Sequence, residues 1–139
     1  MNRRQRLSFI AFLSVVVLLI STGCTTPWDK HQILIDEYNM IMPYPDATRV
    51  DTSSIARLNG SLHGSKYESD ASWESVVVHY SEQLEQNDWS KVNEGKFPQG
   101  SKCLSYKKDD LRAMLVSGGT EGGWDFAFEL SWSGLQSCR

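Results

Sequence analysis

The acidic pair Asp109-Asp110 is the clearest candidate for acid–base chemistry in this 139-residue chain. Two neighbouring carboxylates can divide the roles of proton donor and proton acceptor, but catalysis also needs a nucleophile and a group that stabilises charge. The sequence contains no Gly-x-Ser-x-Gly motif that would supply the nucleophile. The pair also falls between two predicted strands, where acidic residues are common in turns. The sequence therefore predicts a protein that is not an enzyme.

Neither a cofactor nor a metal ion has a recognisable binding motif in the sequence. The segment Gly118–Gly123 is as rich in glycine as a phosphate-binding loop, but it lacks the Gly-Lys-Ser/Thr ending, and Glu121 would repel a phosphate. We expect it to be a strand connection. There is no Cys-x-x-Cys, and His31, His63 and His79 lie far apart. We therefore expect no cofactor and no metal site.

The first 24 residues combine a basic end, an apolar run and a cysteine. Three arginines within Met1–Arg6 precede the run Phe9–Ile20, and Ser21-Thr22-Gly23-Cys24 follows. About a dozen mostly apolar residues are too few to span a bilayer but suit a signal-peptide core. The pattern resembles a bacterial lipoprotein signal peptide, which implies cleavage of residues 1–23 and lipidation of Cys24. The alternative is an uncleaved signal anchor, in which Cys24 is a spare thiol.

The resemblance also implies where the protein is held. Acyl chains such as palmitate on Cys24 would anchor it to a membrane, and two or more chains hold stably. In enterobacterial-type cells an Asp after the lipidated Cys favours the inner membrane, whereas this chain has Thr25 there. We therefore expect a lipid-anchored protein of the cell envelope. If the source has two membranes, the periplasmic face of the outer membrane is favoured.

Composition limits what the mature chain binds. Removal of residues 1–23 leaves 116 residues, enough for one domain. The removed part takes three of the 14 basic residues and none of the 17 acidic residues, so the mature chain has a net charge of −6. An acidic domain has no electrostatic attraction to nucleic acid or to an anionic lipid surface. We expect no nucleic-acid partner.

Two cysteines remain once Cys24 is lipidated. Cys103 and Cys138 are an even pair in an oxidising compartment, and we expect a disulfide between them. Cys103 begins a predicted strand, while Cys138 lies past the end of a strand that runs the same way in a simple meander. Either the tail Gly134–Cys138 turns back, or the strand order is not a simple meander.

One helix and about five strands are predicted for the mature domain. Trp73–Gln86 has apolar residues at helical spacing, and Ser72 or Asp70 can cap it. Trp124–Trp132 alternates apolar and polar residues, so its aromatic face needs a cover, which the helix can supply. The other predicted strands are Ala47–Ser53, a hairpin of Ile55–Leu58 with Leu62–Glu68 around Asn59-Gly60, Cys103–Lys107 and Leu111–Ser117.

These elements predict a fold of the α+β class. A two-layer arrangement places one amphipathic helix across an antiparallel sheet of about five strands, in the order β-β-α-β-β-β. A single domain of residues 44–139 would contain all of them. Cross-strand aromatic pairs would add to the stability of the sheet.

Residues 24–43 are predicted to be a tether followed by an apolar, membrane-proximal segment. Pro27 discourages a helix near the start, but the stretch before Pro43 is too apolar for a flexible spacer. Its apolar residues fit one face of a short helix. Two interpretations remain open: the segment packs on its own domain, or it contacts a partner. The contact surface would consist of Ile33, Leu34, Tyr38 and Ile41.

A family resemblance appears in the order of short motifs. Tyr44-Pro45-Asp46-Ala47 precedes the hairpin, the helix carries Tyr80 and Leu84, and Asn87-Asp88-Trp89 follows it. This order resembles a loose group of small bacterial envelope proteins of unknown function, which share a Tyr-Pro-x-Ala opening and a Gly-Trp after the helix. Asp46 and Asn87-Asp88 stand where glycine is common in that group. The resemblance covers residues 44–132 and implies a fold but no activity.

Two functions from different classes are therefore expected. The first is a non-catalytic accessory protein of an envelope complex, which would make protein–protein contacts through the apolar segment or a sheet edge. The alternative is a domain that binds a small ligand or a peptidoglycan fragment on the open face of the sheet. That face would present Arg112, Met114, Asp125 and Glu129.

Overall fold

The computed structural model describes residues 26–118, 123–133 and 138. The predicted signal peptide, Cys24 and most of the glycine-rich segment lie outside these residues. Two helices and six strands follow one another along the described chain. They are α1 (Pro27–Met40), β1 (Thr48–Arg57), β2 (Gly60–Glu68), α2 (Trp73–Gln86), β3 (Ser90–Lys96), β4 (Lys102–Lys108), β5 (Leu111–Ser117) and β6 (Phe126–Trp132).

The six strands form one antiparallel sheet in the order β1-β2-β6-β5-β4-β3. Strands β3 to β6 are a meander, and β6 joins it to the β1–β2 hairpin. The predicted α+β class is confirmed, but the sheet has one strand more than the five predicted, and a second helix packs on it. The extra strand, β3, was missed because its residues are almost all exposed and show no apolar alternation.

Helix α1 begins earlier than the sequence predicted. Thr26 caps it: the Thr26 hydroxyl accepts a hydrogen bond from the Asp29 backbone, and the Asp29 carboxylate accepts one from the Thr26 backbone. Pro27 occupies the first turn, where its missing N–H costs no hydrogen bond. Pro27 therefore starts this helix, and the folded unit includes residues before 44.

Helix α1 is fixed to the sheet by apolar and ionic contacts. Leu34 and Tyr38 are buried in the hydrophobic core. The Lys108 ammonium at the end of β4 donates to both carboxylate oxygens of Glu37, at 2.8 and 2.9 Å, and both side chains are largely shielded from solvent. Lys30 forms an ion pair with Asp110 in the β4–β5 turn. The helix is thus part of the domain and covers the β1–β2 side of the sheet.

Helix α2 has the predicted bounds, Trp73–Gln86. Of the two predicted caps, Ser72 is used, and its hydroxyl accepts from the Ser75 backbone at 3.2 Å. Asp88, with a φ of 66°, takes the left-handed position after the helix rather than Asn87. Trp89 then folds back and is buried.

Both helices meet the sheet at the aromatic residues of β6. Phe126, Phe128 and Leu130 are fully buried, which confirms the predicted alternation, although the strand begins at Phe126 rather than Trp124. The Phe128 ring stacks with Tyr80 of α2 at 4.6 Å between centroids and with Tyr38 of α1 at 5.6 Å. Phe128 therefore stands at the centre of the core, between the two helices.

The first hairpin turns one residue earlier than predicted. Arg57 pairs with Gly60, so the loop is Leu58-Asn59 rather than Asn59-Gly60. Strand β1 runs without a break from Thr48 to Arg57, with a bulge between Arg49 and Asp51. The result is a ten-residue strand at the border of the sheet.

Candidate functional site

The predicted contact residues of α1 do not form one surface. Leu34, Tyr38 and Ile41 are at most 5% exposed, whereas Ile33 is 44% exposed. The Tyr38 hydroxyl lies 3.0 Å from the Tyr67 hydroxyl, and burial raises the pKa of Tyr38. Leu34, Tyr38 and Ile41 thus pack on their own domain. A partner would have to unfold the core to reach them, so of the two interpretations the structure supports internal packing.

The candidate acid pair Asp109-Asp110 forms the turn between β4 and β5. Asp109 has a φ of 52°, a left-handed conformation that Asp tolerates in turns. Asp110 holds Lys30 of α1. Both residues therefore have structural roles, as turn former and as helix contact.

A Ser–His pair that the sequence did not reveal lies beneath α1. His31 Nδ1 bonds the Ser61 hydroxyl, and His31 Nε2 lies 3.2 Å from the Ser54 hydroxyl. The Ser61 hydroxyl donates to the carbonyl of Ile55 at 3.1 Å, so its proton is already committed to the backbone. An activated nucleophile would instead donate to the imidazole. The cluster therefore ties α1 to the first hairpin, and no sequence motif marks it because its members come from separate elements.

Three of the four residues proposed for ligand binding share the sheet face opposite the helices. Met114 lies opposite Glu129, and Arg112 lies opposite Ser131. Burial raises the pKa of Glu129, against a smaller opposite effect of Lys66. The Asp125 carboxylate accepts a hydrogen bond from the Ser69 backbone at 2.7 Å, which assigns it to a loop contact. The structure thus places Arg112, Met114 and Glu129 on one face and gives Asp125 a contact with the loop after β2.

A groove of about 480 Å³ lies between α2 and the β3–β4 edge. Trp73, Val77 and Val78 give it an apolar wall. The Lys102 ammonium reaches Glu74 of α2 at 3.3 Å, so this charge is matched within the domain. The groove is therefore an apolar cleft, and the pairing of Lys102 with Glu74 neutralises charge at its rim.

The disulfide is found where it was predicted. Cys103 and Cys138 are bonded, with Cα atoms 5.8 Å apart. Asn93 of β3 donates to the Cys138 carbonyl at 2.8 Å. Strands β4, β5 and β6 are a simple meander, and residues 134–137, which link β6 to Cys138, lie outside the described residues. Ser133 has a φ of 54° at the point where the chain leaves that strand.

The two borders of the sheet differ in chemistry. Strand β3 carries Lys91, Glu94 and Lys96 within seven residues, and it has a register shift. Lysines and irregularities on an edge discourage pairing with another strand. Strand β1 has ten residues and contains neither lysine nor proline, but it also has a bulge, between Arg49 and Asp51, and carries the charged residue Arg57 at its end. It is the longer border of the described sheet, and it exposes two large apolar side chains, Val50 and Ile55, where β3 exposes Val92.

Exposed apolar side chains accompany the β1 border. Val50, Ile55 and Leu58 are 43%, 42% and 85% exposed. Next to them, Ile55, Arg57 and Leu62 line a groove of about 420 Å³. We define the β1 edge as Thr48–Arg57 together with Leu58. It combines unpaired backbone groups with apolar contact area, which is the chemistry of strand addition.

The chain matches no known protein family, no curated protein and no solved structure. Neither α1 nor α2 is long and apolar enough to cross a membrane. Among residues 26–118, 123–133 and 138, no group of three or more His, Cys, Asp or Glu side chains is placed to hold a metal ion. The position of β1 at the border of the sheet and its exposed apolar side chains make the β1 edge the candidate site that the geometry favours.

Proposed function

We propose that this protein is an exported lipoprotein of the bacterial cell envelope that acts as a non-catalytic interaction module. Cys24 carries the lipid anchor, and residues 1–23 are removed. In a cell with two membranes, Thr25 directs the protein to the periplasmic face of the outer membrane. The sequence pattern of the first 24 residues supports this location.

The observation that carries the interaction role is the β1 edge. It presents a ten-residue edge strand and three exposed apolar side chains, whereas the opposite border has seven residues and exposes one large apolar side chain, Val92. Proteins normally block such an edge to avoid unwanted pairing. Apolar side chains exposed along an edge strand favour a specific partner strand, and we assign the β1 edge as the docking surface.

Labelling with palmitate tests the anchor. Wild-type protein should incorporate labelled palmitate and lose residues 1–23, whereas Cys24→Ser should do neither. Thr25→Asp should move the protein to the inner-membrane fraction of an enterobacterial host, and the matched control Thr25→Ser should not. A wild type that takes up no label and keeps its leader contradicts the proposed location.

Site-specific photo-crosslinking tests the docking surface. A photoreactive residue in place of Ile55 should give discrete adducts in membranes that contain the full chain. Val92 on β3 is the matched control, because it is 45% exposed against 42% for Ile55 but lies on the opposite border. Equal adduct yields from the two positions, or none from Ile55, would contradict the assignment of the β1 edge.

A further inference from the structure

The hairpin geometry determines which backbone groups of β1 face outward. In an antiparallel pair, alternate residues bond the neighbouring strand, and those between them point their N–H and C=O groups away. The pair Arg57 and Gly60 closes a two-residue loop, and the Ile55 carbonyl accepts from Ser61 of β2. The backbone N–H and C=O groups of Ile55 and Arg57 therefore point toward β2. It follows that Thr52, Ser54 and Ala56 direct their backbone groups to the open border.

We propose that the strand which docks on the β1 edge is β1 of a second copy of this chain. The two strands run antiparallel, and Ser54 lies opposite Ser54 of the second copy. Thr52 then meets Ala56 in both directions, so that all three outward-facing residues find backbone partners. This inference rests on the proposed role of the β1 edge and names its occupant. The assembly is a two-fold symmetric sheet with twice the strands of one chain.

Charge favours this register over the neighbouring one. With Ser54 opposite Ser54, Asp51 lies opposite Arg57 of the second copy, and symmetry repeats that attractive pair. A shift that places Ser53 on the two-fold axis would instead set Arg49 against Arg57, and like charges directly opposite are destabilising. Asp51 has its Lys66 contact, at 3.5 Å, on the β2 side of the strand. The acid can therefore accept a second cation from the open side.

The exposed apolar residues fit the same register. Ile55 comes opposite Ser53 of the second copy, while Val50, at the bulge, and Leu58, in the turn, lie near the two ends of the paired strands. Pairing thus shields part of the exposed apolar area of the β1 edge from water.

The two-fold symmetry of this dimer allows the lipid anchors of both copies to insert into the same membrane. A two-fold axis perpendicular to the sheet leaves both α1 helices on the same face of the joined sheet. Both amino ends can then approach one bilayer, with the axis along the membrane normal. Confinement of the two copies to one surface raises their effective concentration.

Cysteine crosslinking of the full lipidated protein in membranes tests the contact. Opposed residues that exchange hydrogen bonds lie about 5.5 Å apart between Cα atoms, a distance that a disulfide spans. Ser54→Cys should therefore give an oxidised band of twice the mass. Ser90→Cys on β3 is the matched control and should stay monomeric. A monomeric Ser54→Cys protein, or equal crosslinking by both variants, would overturn the proposal.

A charge exchange tests the register. Asp51→Arg alone and Arg57→Asp alone each place like charges opposite one another twice, and each should lower the dimer fraction about tenfold. A mixture of the two variants, carrying different tags, restores both attractive pairs and should recover the dimer as a mixed species. Loss of dimer without recovery in the mixture would overturn the register.

The same experiments separate this inference from the proposed function. If Ile55 crosslinks to a different protein and Ser54→Cys does not self-crosslink, the second copy is wrong but the β1 edge remains a docking surface. If Ile55 gives no adduct of any mass, both proposals fail.

Discussion

The hydroxyl oxygens of Tyr38 and Tyr67 lie 3.0 Å apart and join helix α1 to strand β2 inside the core. Helix α1 begins at Pro27, immediately after its cap Thr26. If Cys24 is the anchor, two Cα-to-Cα steps, about 8 Å, separate it from this cap. The domain is then held close to the bilayer without a long spacer, and its β1 edge is restricted to partners near the membrane surface.

The burial of α1 predicts a contrast between two neighbouring residues. Leu34→Ala should lower the free energy of unfolding by about 3 kcal/mol, because it opens a cavity in the core. Ile33→Ala should change it by about 1 kcal/mol or less, because Ile33 is 44% exposed and its removal opens no closed cavity. Urea unfolding followed by tryptophan fluorescence measures both. Equal effects would show that α1 does not pack as described.

The disulfide predicts sensitivity to reduction. Cys103 and Cys138 are 35 residues apart, and closing a loop of that length restricts the unfolded chain by about 4 kcal/mol. A reductant should lower the urea midpoint of the wild type by the corresponding amount. The double variant Cys103→Ser/Cys138→Ser should start at the lower midpoint and show no response to reductant. A wild type that ignores reductant would mean that the bridge contributes nothing to stability.

The environment of Glu129 predicts a gain in stability from a neutral replacement. Burial raises the pKa of this carboxyl above its ordinary 4.5, so the folded state disfavours its charged form. Its favourable contribution is present at low pH and is lost as the pH rises through the folded-state pKa. Glu129→Gln should therefore have a higher unfolding free energy than wild type at neutral pH and an equal one near about pH 3.

Gly64 of strand β2 packs closely against Glu129. A Cβ atom on Gly64 would lie 2.6 Å from the Glu129 side chain and 2.8 Å from its Cα. The packing of Glu129 thus depends on glycine at position 64. In the variant Glu129→Gln, the side chain keeps its shape but loses its charge. If Glu129→Gln destabilises the protein at neutral pH, the carboxylate makes a favourable contact that burial does not outweigh.

His63 predicts a loss of stability on acidification. Burial, with a smaller contribution from His31, lowers the pKa of His63 below its ordinary 6.5. Its Nδ1 is buried, finds no hydrogen-bond partner in the described chain, and the ring lies 4.6 Å from Tyr38. The unfolded chain takes up the proton first, so stability falls as the pH drops through the ordinary histidine value of 6.5. His63→Gln should flatten that slope, and an unchanged slope would contradict the assignment.

Some elements could be predicted because their residues report burial locally. Helix α2 repeats apolar residues on one stripe and carries its own cap, Ser72. Strand β6 alternates aromatic and small or polar residues because one face meets the helices. The β4–β5 turn is marked by two adjacent acids. In each case a few neighbouring residues carry the whole signal.

Other elements could not be predicted because their stability comes from distant contacts. Strand β3 is exposed on both faces, so no periodicity marks it, and only its hydrogen bonds to β4 make it a strand. The sequence predicts that Pro27 discourages a helix, but Pro27 begins α1 because Thr26 caps the helix just before it. The β1 edge was named only as a sheet edge in general, since the order of strands decides which edges are open.

The sequence by itself determined the class of the fold, the helix Trp73–Gln86, the cysteine pair and the expectation of an anchor at Cys24, since each depends on residue types at short spacing. Only the tertiary structure decided that α1 belongs to the core, that β3 joins the sheet, and that β1 is one of its two borders. These three outcomes depend on which distant segments pack together, and the free energy of that packing belongs to no single stretch of the chain.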